Sequence, residues 1–335
     1  MKIIIAGGSG QVGTILCRAF HNSGDEVVSL SRSPRSTPWK TVQWDARTLG
    51  PWTSELDGAD FVINLAGRSV NCRYGKKNRR DIIDSRVDST RVIGEAIAAC
   101  ARPPRAWLQA STATIYAHRY DAANTESTGI LGGNEPGVPE TWCFSIDVAK
   151  AWELATVQAE TPHTRKILLR SAIIMSPDQG GAFDMLLRLV RFGLGGTEGD
   201  GRQFVSWIHE SDFIRAIRWI IEHDGIEGPI NLAAPNPLPN REFLRDLRTA
   251  WKAPFGLPAT KWMLELGAIA LRTETELILK SRRVFPERLI VGGFHFEFPD
   301  WKRAAEELCA SWKKPLISPS PAHPARSAAS AIRAK

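Results

Sequence analysis

The stretch Lys2–Ala6 carries three consecutive isoleucines and runs directly into Gly7-Gly8-Ser9-Gly10-Gln11-Val12-Gly13. An apolar run closed at once by glycines predicts a strand buried on both faces, as in a parallel sheet. Behind the glycines, Val12, Ile15, Leu16, Ala19 and Phe20 recur at the spacing of one helix face over Gln11–Asn22. A strand, a G-x-x-G-x-x-G turn and a helix in that order constrain the fold more than any other feature of the chain. Glycines let the backbone come close to a pyrophosphate, and a helix N-terminus stabilises its charge. Gly7, Gly8, Ser9, Gly10, Gln11, Val12 and Gly13 are therefore the expected phosphate cradle of a dinucleotide.

The alternation continues. Strands are expected at Glu26–Ser31, Thr41–Trp44, Phe61–Ala66, Ala106–Ser111 and Lys166–Ile174, with helices at Arg80–Ala101 and Ile146–Ala159. On the first of those helices Ile83, Val87, Val92, Ile93, Ala96 and Ile97 are expected to face inward. Strands alternating with helices predict an α/β, doubly wound parallel sheet built from right-handed crossovers. The second half is less regular, with helices expected at Phe183–Phe192, Ser211–His223, Arg241–Trp251 and Lys261–Leu271 and a short strand at Ile230–Ala233. Pro315–Lys335, rich in Pro, Ala and Ser, reads as a disordered tail.

The residues that end the second strand discriminate between dinucleotides. A carboxylate there would accept the ribose 2′-hydroxyl and repel a 2′-phosphate. This chain has Ser31-Arg32-Ser33, with Arg35 close behind, and guanidinium groups pair well with phosphate. Arg32 and Ser33 thus favour NADP(H) over NAD(H), unless Arg32 is merely a solvated loop residue. Asn64, Leu65, Ala66 and Gly67 end the fourth strand with a small-residue turn suited to the adenosine half, and Asp45 is within reach of the adenine side.

Charge and cysteine usage narrow the class. Much of the formal charge of +7 comes from Lys313, Lys314, Arg326, Arg333 and Lys335, in a terminal stretch without acids; the rest is nearly balanced. That pattern does not suggest a nucleic-acid partner. The five cysteines are scattered and form no C-x-x-C, which suits a reducing cytoplasm and neither a disulfide framework nor a metal site. No segment reaches the length of a membrane span, and the N-terminal apolar run is too short for a signal peptide. A small-molecule substrate is the expected partner.

The glycine loop, the NLAG turn and Ser111-Thr112-Ala113-Thr114-Ile115-Tyr116 together resemble the extended short-chain dehydrogenase/reductase superfamily, which includes nucleotide-sugar epimerases and dehydratases. Further motifs sharpen this. Gly195-Gly196, Gly201-Arg202-Gln203, Ser206-Trp207-Ile208-His209, Asn231–Pro237, Arg283–Pro286 and Gly292-Gly293-Phe294 resemble an atypical epimerase-like family with its own C-terminal domain. The resemblance covers about residues 1–312. It implies a Rossmann-like domain over 1–170, to which 205–235 return. A smaller, mainly helical substrate domain over 171–204 and 236–312 and a tail at 313–335 complete the expected organisation. A homodimer is implied by analogy alone.

Carried over residue by residue, the resemblance places Thr112 where a hydroxyl bonds the reacting oxygen, with Ser111 beside it. It places Ser145 where the superfamily has its catalytic tyrosine and Ala149 where it has lysine. Lys150 is one residue off, about 100° around a helix. Arg86 falls where asparagine is common, and Asp212 matches the aspartate after the returning segment. Val205 occupies the place of a diphosphate-gripping arginine, with Arg202 nearby. The usual tyrosine donates a proton because its neighbours lower its pKa, and an unaided serine cannot do so. The chain has only Tyr74, Tyr116 and Tyr120. Tyr116 and His209 are the expected alternative donors; otherwise Tyr116 is a core residue and His209 caps the helix that follows. Arg73, Arg86 and Arg202 are the expected substrate-binding cations. The basic run Asn71–Arg80 reads either as an anion subsite or as a solvated face. Function stays divided between an NADP(H)-dependent oxidoreductase or epimerase with a non-standard proton donor and a catalytically silent NADP(H)-binding sensor or scaffold.

Overall fold

The computed structural model describes residues 1–259 and 276–314. The helix expected at Lys261–Leu271 and the tail Pro315–Lys335 lie outside the described residues. The main sheet is formed by β1 (Lys2–Ala6), β2 (Glu26–Ser31), β3 (Lys40–Gln43), β4 (Phe61–Asn64), β5 (Ala106–Thr112), β6 (Arg165–Ser171) and, after three short strands, β10 (Gly228–Leu232). Its order is β10-β6-β5-β4-β1-β2-β3, and the pairings are parallel throughout. The chain runs outward from β1 to β3, returns to β4 and continues the other way, so the sheet reverses direction beside β1. Ligands of open α/β sheets bind at that reversal, at the C-terminal ends of the strands.

Successive strand residues face opposite sides, and the two faces build two cores. Ile3 and Ile5 join Leu16 and Phe20 of α1 (Gln11–Asn22) and Phe213, Ile217 and Ile220 of α5 (Glu210–Glu222). Ile4 and Ala6 join Val92, Ile93 and Ile97 of α2 (Lys76–Ala98), with Trp107 and Trp52. Ile3, Ile4 and Ile5 are wholly inaccessible, each worth about 1.5–3 kcal/mol of burial. The inward set of α2 departs from expectation at its start. The helix begins at Lys76 rather than Arg80, and Ile82, not Ile83, is the residue buried there. Ile82 packs instead with Tyr74, Phe144 and Val148 of α3 (Glu140–Gln158).

The strand expected at Lys166–Ile174 is two strands. At Ala172 the backbone N–H still bonds the Leu232 carbonyl (2.9 Å), but Ile173 turns to Ser206. β7 (Ile173–Met175) then pairs with β9 (Trp207–His209), and β8 (Phe204–Val205) with β11 (Leu238–Pro239). A third core links α4 (Ala182–Arg191), α6 (Asn240–Trp251) and the helix Trp301–Trp312 through Phe183, Leu187, Phe243, Leu247, Trp301 and Leu308. Here the tryptophan-rich composition finds part of its use. Trp301 stacks on Phe243 with ring centroids 4.0 Å apart, and Trp251 meets Trp312 edge-on at 5.7 Å. Among the described residues, no helix is long and apolar enough to cross a membrane.

Candidate dinucleotide cleft and adjoining polar site

At the end of β1 the chain turns through Gly7, whose φ of +79° suits glycine. A Cβ on Gly7 would stand 3.0 Å from the Ala66 backbone nitrogen, and one on Gly13 would run into the Gly7 carbonyl oxygen. One on Gly8 would strike the Ser29 hydroxyl. The loop is thus drawn tight between β4 and α1. Gly10 is the N-cap of α1, and no side chain caps that end. The first N–H groups of the helix open on a cleft of about 670 Å³, lined among others by Gly7, Ser9, Gly10, Arg32, Asp45 and Gly67. A glycine cradle a side chain would fill, with an uncapped helix N-terminus behind it, fits a dinucleotide pyrophosphate.

Other expected cradle residues shape the cleft from behind. Ser31 donates to the Ser9 hydroxyl (3.0 Å), and the Ser33 amide donates to Ser31 (3.2 Å). Asn64 is buried; its Oδ1 accepts the Ala66 amide and its Nδ2 donates to Gln109. Leu65 and Ala66 line the cleft, and Val12 packs against the α1 core. Gln11 reaches across to Gly181, where a Cβ would collide with its amide. Arg32 and Arg47 both line the end beyond β2. Asp45 lines it too, but its carboxylate already accepts the Arg47 and Thr48 amides (2.8 and 2.9 Å) and the Thr48 hydroxyl (2.6 Å). The Thr48 hydroxyl and those amides hold Asp45 down to about 2.

The hydroxyls at the end of β5 divide. Ser111 donates to Glu153 of α3 (2.6 Å), and Glu153 accepts two bonds from Arg170 of β6 (2.8 Å each). Arg170 also donates to the Tyr116 hydroxyl (3.0 Å), which donates to Asn231 of β10 (2.9 Å). All five residues are buried. Two of the expected site hydroxyls thus have buried partners. The single Ser111 proton is directed at Glu153, and the Tyr116 proton is committed to Asn231 at 2% exposure. Burial pushes the Tyr116 phenol up even beside Arg170. His209 takes the capping place that was its expected alternative: Nδ1 accepts the Ser211 amide (3.1 Å) at the start of α5, Nε2 meets Glu307 (2.8 Å), and the ring stacks on Phe298 at 4.0 Å. Thr112 differs. Its oxygen accepts the Thr114 amide (3.2 Å), and among the described residues its proton has no acceptor.

Ser145 lies inside α3, which starts at Glu140 rather than Ile146. Its hydroxyl donates to Glu276 and stands 3.4 Å from the Tyr74 hydroxyl. Ala149 is buried against Ala113 and Ile115, while Lys150 turns away to the Gly132 carbonyl (2.7 Å). Arg86 lies under the cleft floor, 3.2 Å from where a Gly67 Cβ would be, and donates to the Arg68 and Ile82 carbonyls. Its guanidinium packs over Trp152, and burial brings it down to about 10. Arg202 stands over Tyr120 at 5.7 Å, and Arg73 is exposed. In the basic run, Arg79 is paired with Glu140, whereas Lys76 and Lys77 are exposed.

A group of residues not singled out in the sequence docks over β5. Lys280 donates to the Thr114 carbonyl (2.7 Å), Arg282 to the Thr114 hydroxyl (3.1 Å), and the Ser281 amide to His118 Nδ1 (2.8 Å). Glu276 lies 3.7 Å from Arg282. Burial, then Arg282, pushes Lys280 down to about 8. The available signal was the charge in Glu276–Arg283, next to the Arg283–Pro286 motif.

Residues 3–233 match the NAD dependent epimerase/dehydratase family, and residues 259–308 match a domain of unknown function, DUF1731. The chain is 31% identical over 318 residues to the epimerase family protein YfhF of Bacillus subtilis, covering 93% of this chain and 99% of that one. The human epimerase family protein SDR39U1, solved with NADPH, superposes with a TM-score of 0.80 at 26% identity, over 92% of this chain and 99% of that one. A UDP-N-acetylglucosamine 4-epimerase from Bacillus cereus shares the fold, with a TM-score of 0.69 at 15% identity over 94% and 100% of the two chains. Sheet order, glycine cradle and sequence together establish that this chain belongs to the NAD dependent epimerase/dehydratase family and carries that C-terminal domain.

Proposed function

We propose that the chain binds NADP(H) in the cleft and is an oxidoreductase or epimerase that moves hydride to or from an oxygen-bearing carbon of a small carbonyl or sugar-like substrate. The observation that carries the choice of NADP(H) is the end of β2. Arg32 and Arg47 line the cleft there, and the carboxylate of Asp45 is already filled by its own turn. The human relative solved with NADPH supports the same reading. When bound, the nicotinamide supplies or accepts the hydride. The chain supplies the rest: the α1 N-terminus holds the pyrophosphate, and Thr112 donates to the substrate oxygen. The Ser111–Glu153–Arg170 network keeps the end of β5 in place. The scattered free cysteines fit a reducing cytoplasm.

Fluorescence titration with NADPH and NADH tests the cofactor. Arg32→Ala is expected to weaken NADPH about 10- to 100-fold, the loss of one charge-assisted contact, and to leave NADH unchanged. Equal affinity for both dinucleotides in the parent protein would sink the NADP(H) assignment. The silent-sensor reading rests on Ser145 and Ala149 standing in place of tyrosine and lysine. Substrate-dependent NADPH oxidation that falls in Thr112→Ala would exclude it.

A further inference from the structure

Thr114 sits in the short 3₁₀ turn Ala113–Ile115 that follows β5, and each of its polar groups is held. Its amide donates to Thr112 Oγ1 (3.2 Å), its carbonyl accepts Lys280 Nζ (2.7 Å), and its hydroxyl accepts Arg282 Nε (3.1 Å). Lys280 and Arg282 come from the C-terminal domain, 166 and 168 residues further on. Their own neighbours wedge them in place. The Ser281 amide and hydroxyl donate to His118 Nδ1 (2.8 Å) and the Arg119 carbonyl (3.1 Å), and the Arg282 amide donates to the Phe204 carbonyl (2.8 Å). Ser206 Oγ accepts the Val284 amide (2.9 Å) and donates to the Arg282 carbonyl (2.7 Å). Lys280 and Ser281 are each 1% exposed. We propose that segment 280–284 of the C-terminal domain is a clasp that acts through Thr114 to position the Thr112 hydroxyl for donation to the substrate. The proposal rests on the hydride-transfer reading above.

The direction of the hydrogen bonds supports this role. A hydroxyl that accepts an amide in one lone pair keeps its proton for a different acceptor, and half-buried Thr112 accepts the Thr114 amide. That amide belongs to a turn of three residues, whose closing bond from the Tyr116 amide to the Ala113 carbonyl is long, at 3.3 Å. Hydrogen-bond geometry in a 3₁₀ turn is poorer than in an α-helix, so the turn holds itself weakly. Two charged donors fasten Thr114 from the side, and bonds from a charged donor are about twice as strong as neutral ones. A reacting hydroxyl has to be held within about 0.5 Å of its productive place. Lys280, Arg282 and Thr114 are therefore positioning residues, and Thr112 is the member of the set that touches the substrate.

Hydrogen exchange of the full-length protein, with and without NADPH, tests the clasp directly. In Lys280→Met the peptide Ser111–Tyr116 should exchange about 10-fold faster or more, the loss of one charge-assisted bond, while the β1 peptide Lys2–Ala6 keeps its parental rate. With NADPH and para-nitrobenzaldehyde as probe, Thr114→Val and Lys280→Met should each lower kcat about 10-fold or more, at unchanged KM and NADPH affinity. Thr114→Ser, which keeps the hydroxyl for Arg282, should recover most of that loss. A role in stability alone would shift the unfolding midpoint and leave kcat of the folded protein in place. Parental exchange of Ser111–Tyr116 in Lys280→Met overturns the proposal. So does a parental kcat in Thr114→Val, or an equal fall in Thr114→Ser. Should Thr114→Val fail to fold, Lys280→Met carries both readouts. Absence of turnover in the parent protein instead sinks the hydride-transfer reading, and the exchange of Ser111–Tyr116 then judges the clasp by itself.

Discussion

Two polar clusters flank the end of β5, and they are built on opposite terms. In the first, Ser111, Glu153, Arg170, Tyr116 and Asn231 form a chain in which both hydroxyl protons have acceptors and the Glu153 carboxylate is paired with the Arg170 guanidinium. In the second, Ser145, Glu276, Lys280 and Arg282 bring two cations and one carboxylate together among the described residues. A satisfied buried network rigidifies; one with surplus charge perturbs pKa values, as functional sites do. The difference separates a paired clamp from a cluster in which burial and Arg282 hold a lysine well below its ordinary range.

The clamp should break most severely. Arg170→Met leaves Glu153 buried without its cation and is expected to lower stability by about 3–5 kcal/mol in denaturant titration. A loss below about 1 kcal/mol would mean that the network is not the clamp described. Tyr116→Phe removes one member and strands Asn231, at an expected cost of about 1–3 kcal/mol. NADPH affinity and turnover should hold; a collapse of turnover without loss of stability would return Tyr116 to the reaction. A third effect, read from pH dependence, lies in the second cluster. Lys280 has a folded-state value near 8, below the unfolded value of about 10.4. Between the two the unfolded chain binds more protons, so stability rises with pH across that window. Denaturant midpoints measured from neutral to alkaline pH should show this rise, and Lys280→Met should flatten it.

Local signals carried the first half of the chain well. The isoleucine run, the glycine spacing and the helix faces are short-range patterns, and β1, α1 and β2 lie where those patterns place them. The site was legible only in part. The tight turn through Gly7, Gly8 and Gly13 follows from motif and context. The partners of Ser111, Tyr116 and His209 could not be read from the sequence, because Glu153, Arg170, Asn231 and Glu307 lie 42, 54, 115 and 98 residues away.

The sequence by itself determined the parallel sheet and the tight glycine turn after β1, because each depends on residues adjacent in the chain or one helix turn apart. The tertiary structure alone decided which hydroxyls keep a proton to donate and which charges meet. Such decisions depend on acceptors brought from distant strands into a low-dielectric interior. There an unmatched group is costly and a matched one is immobilised.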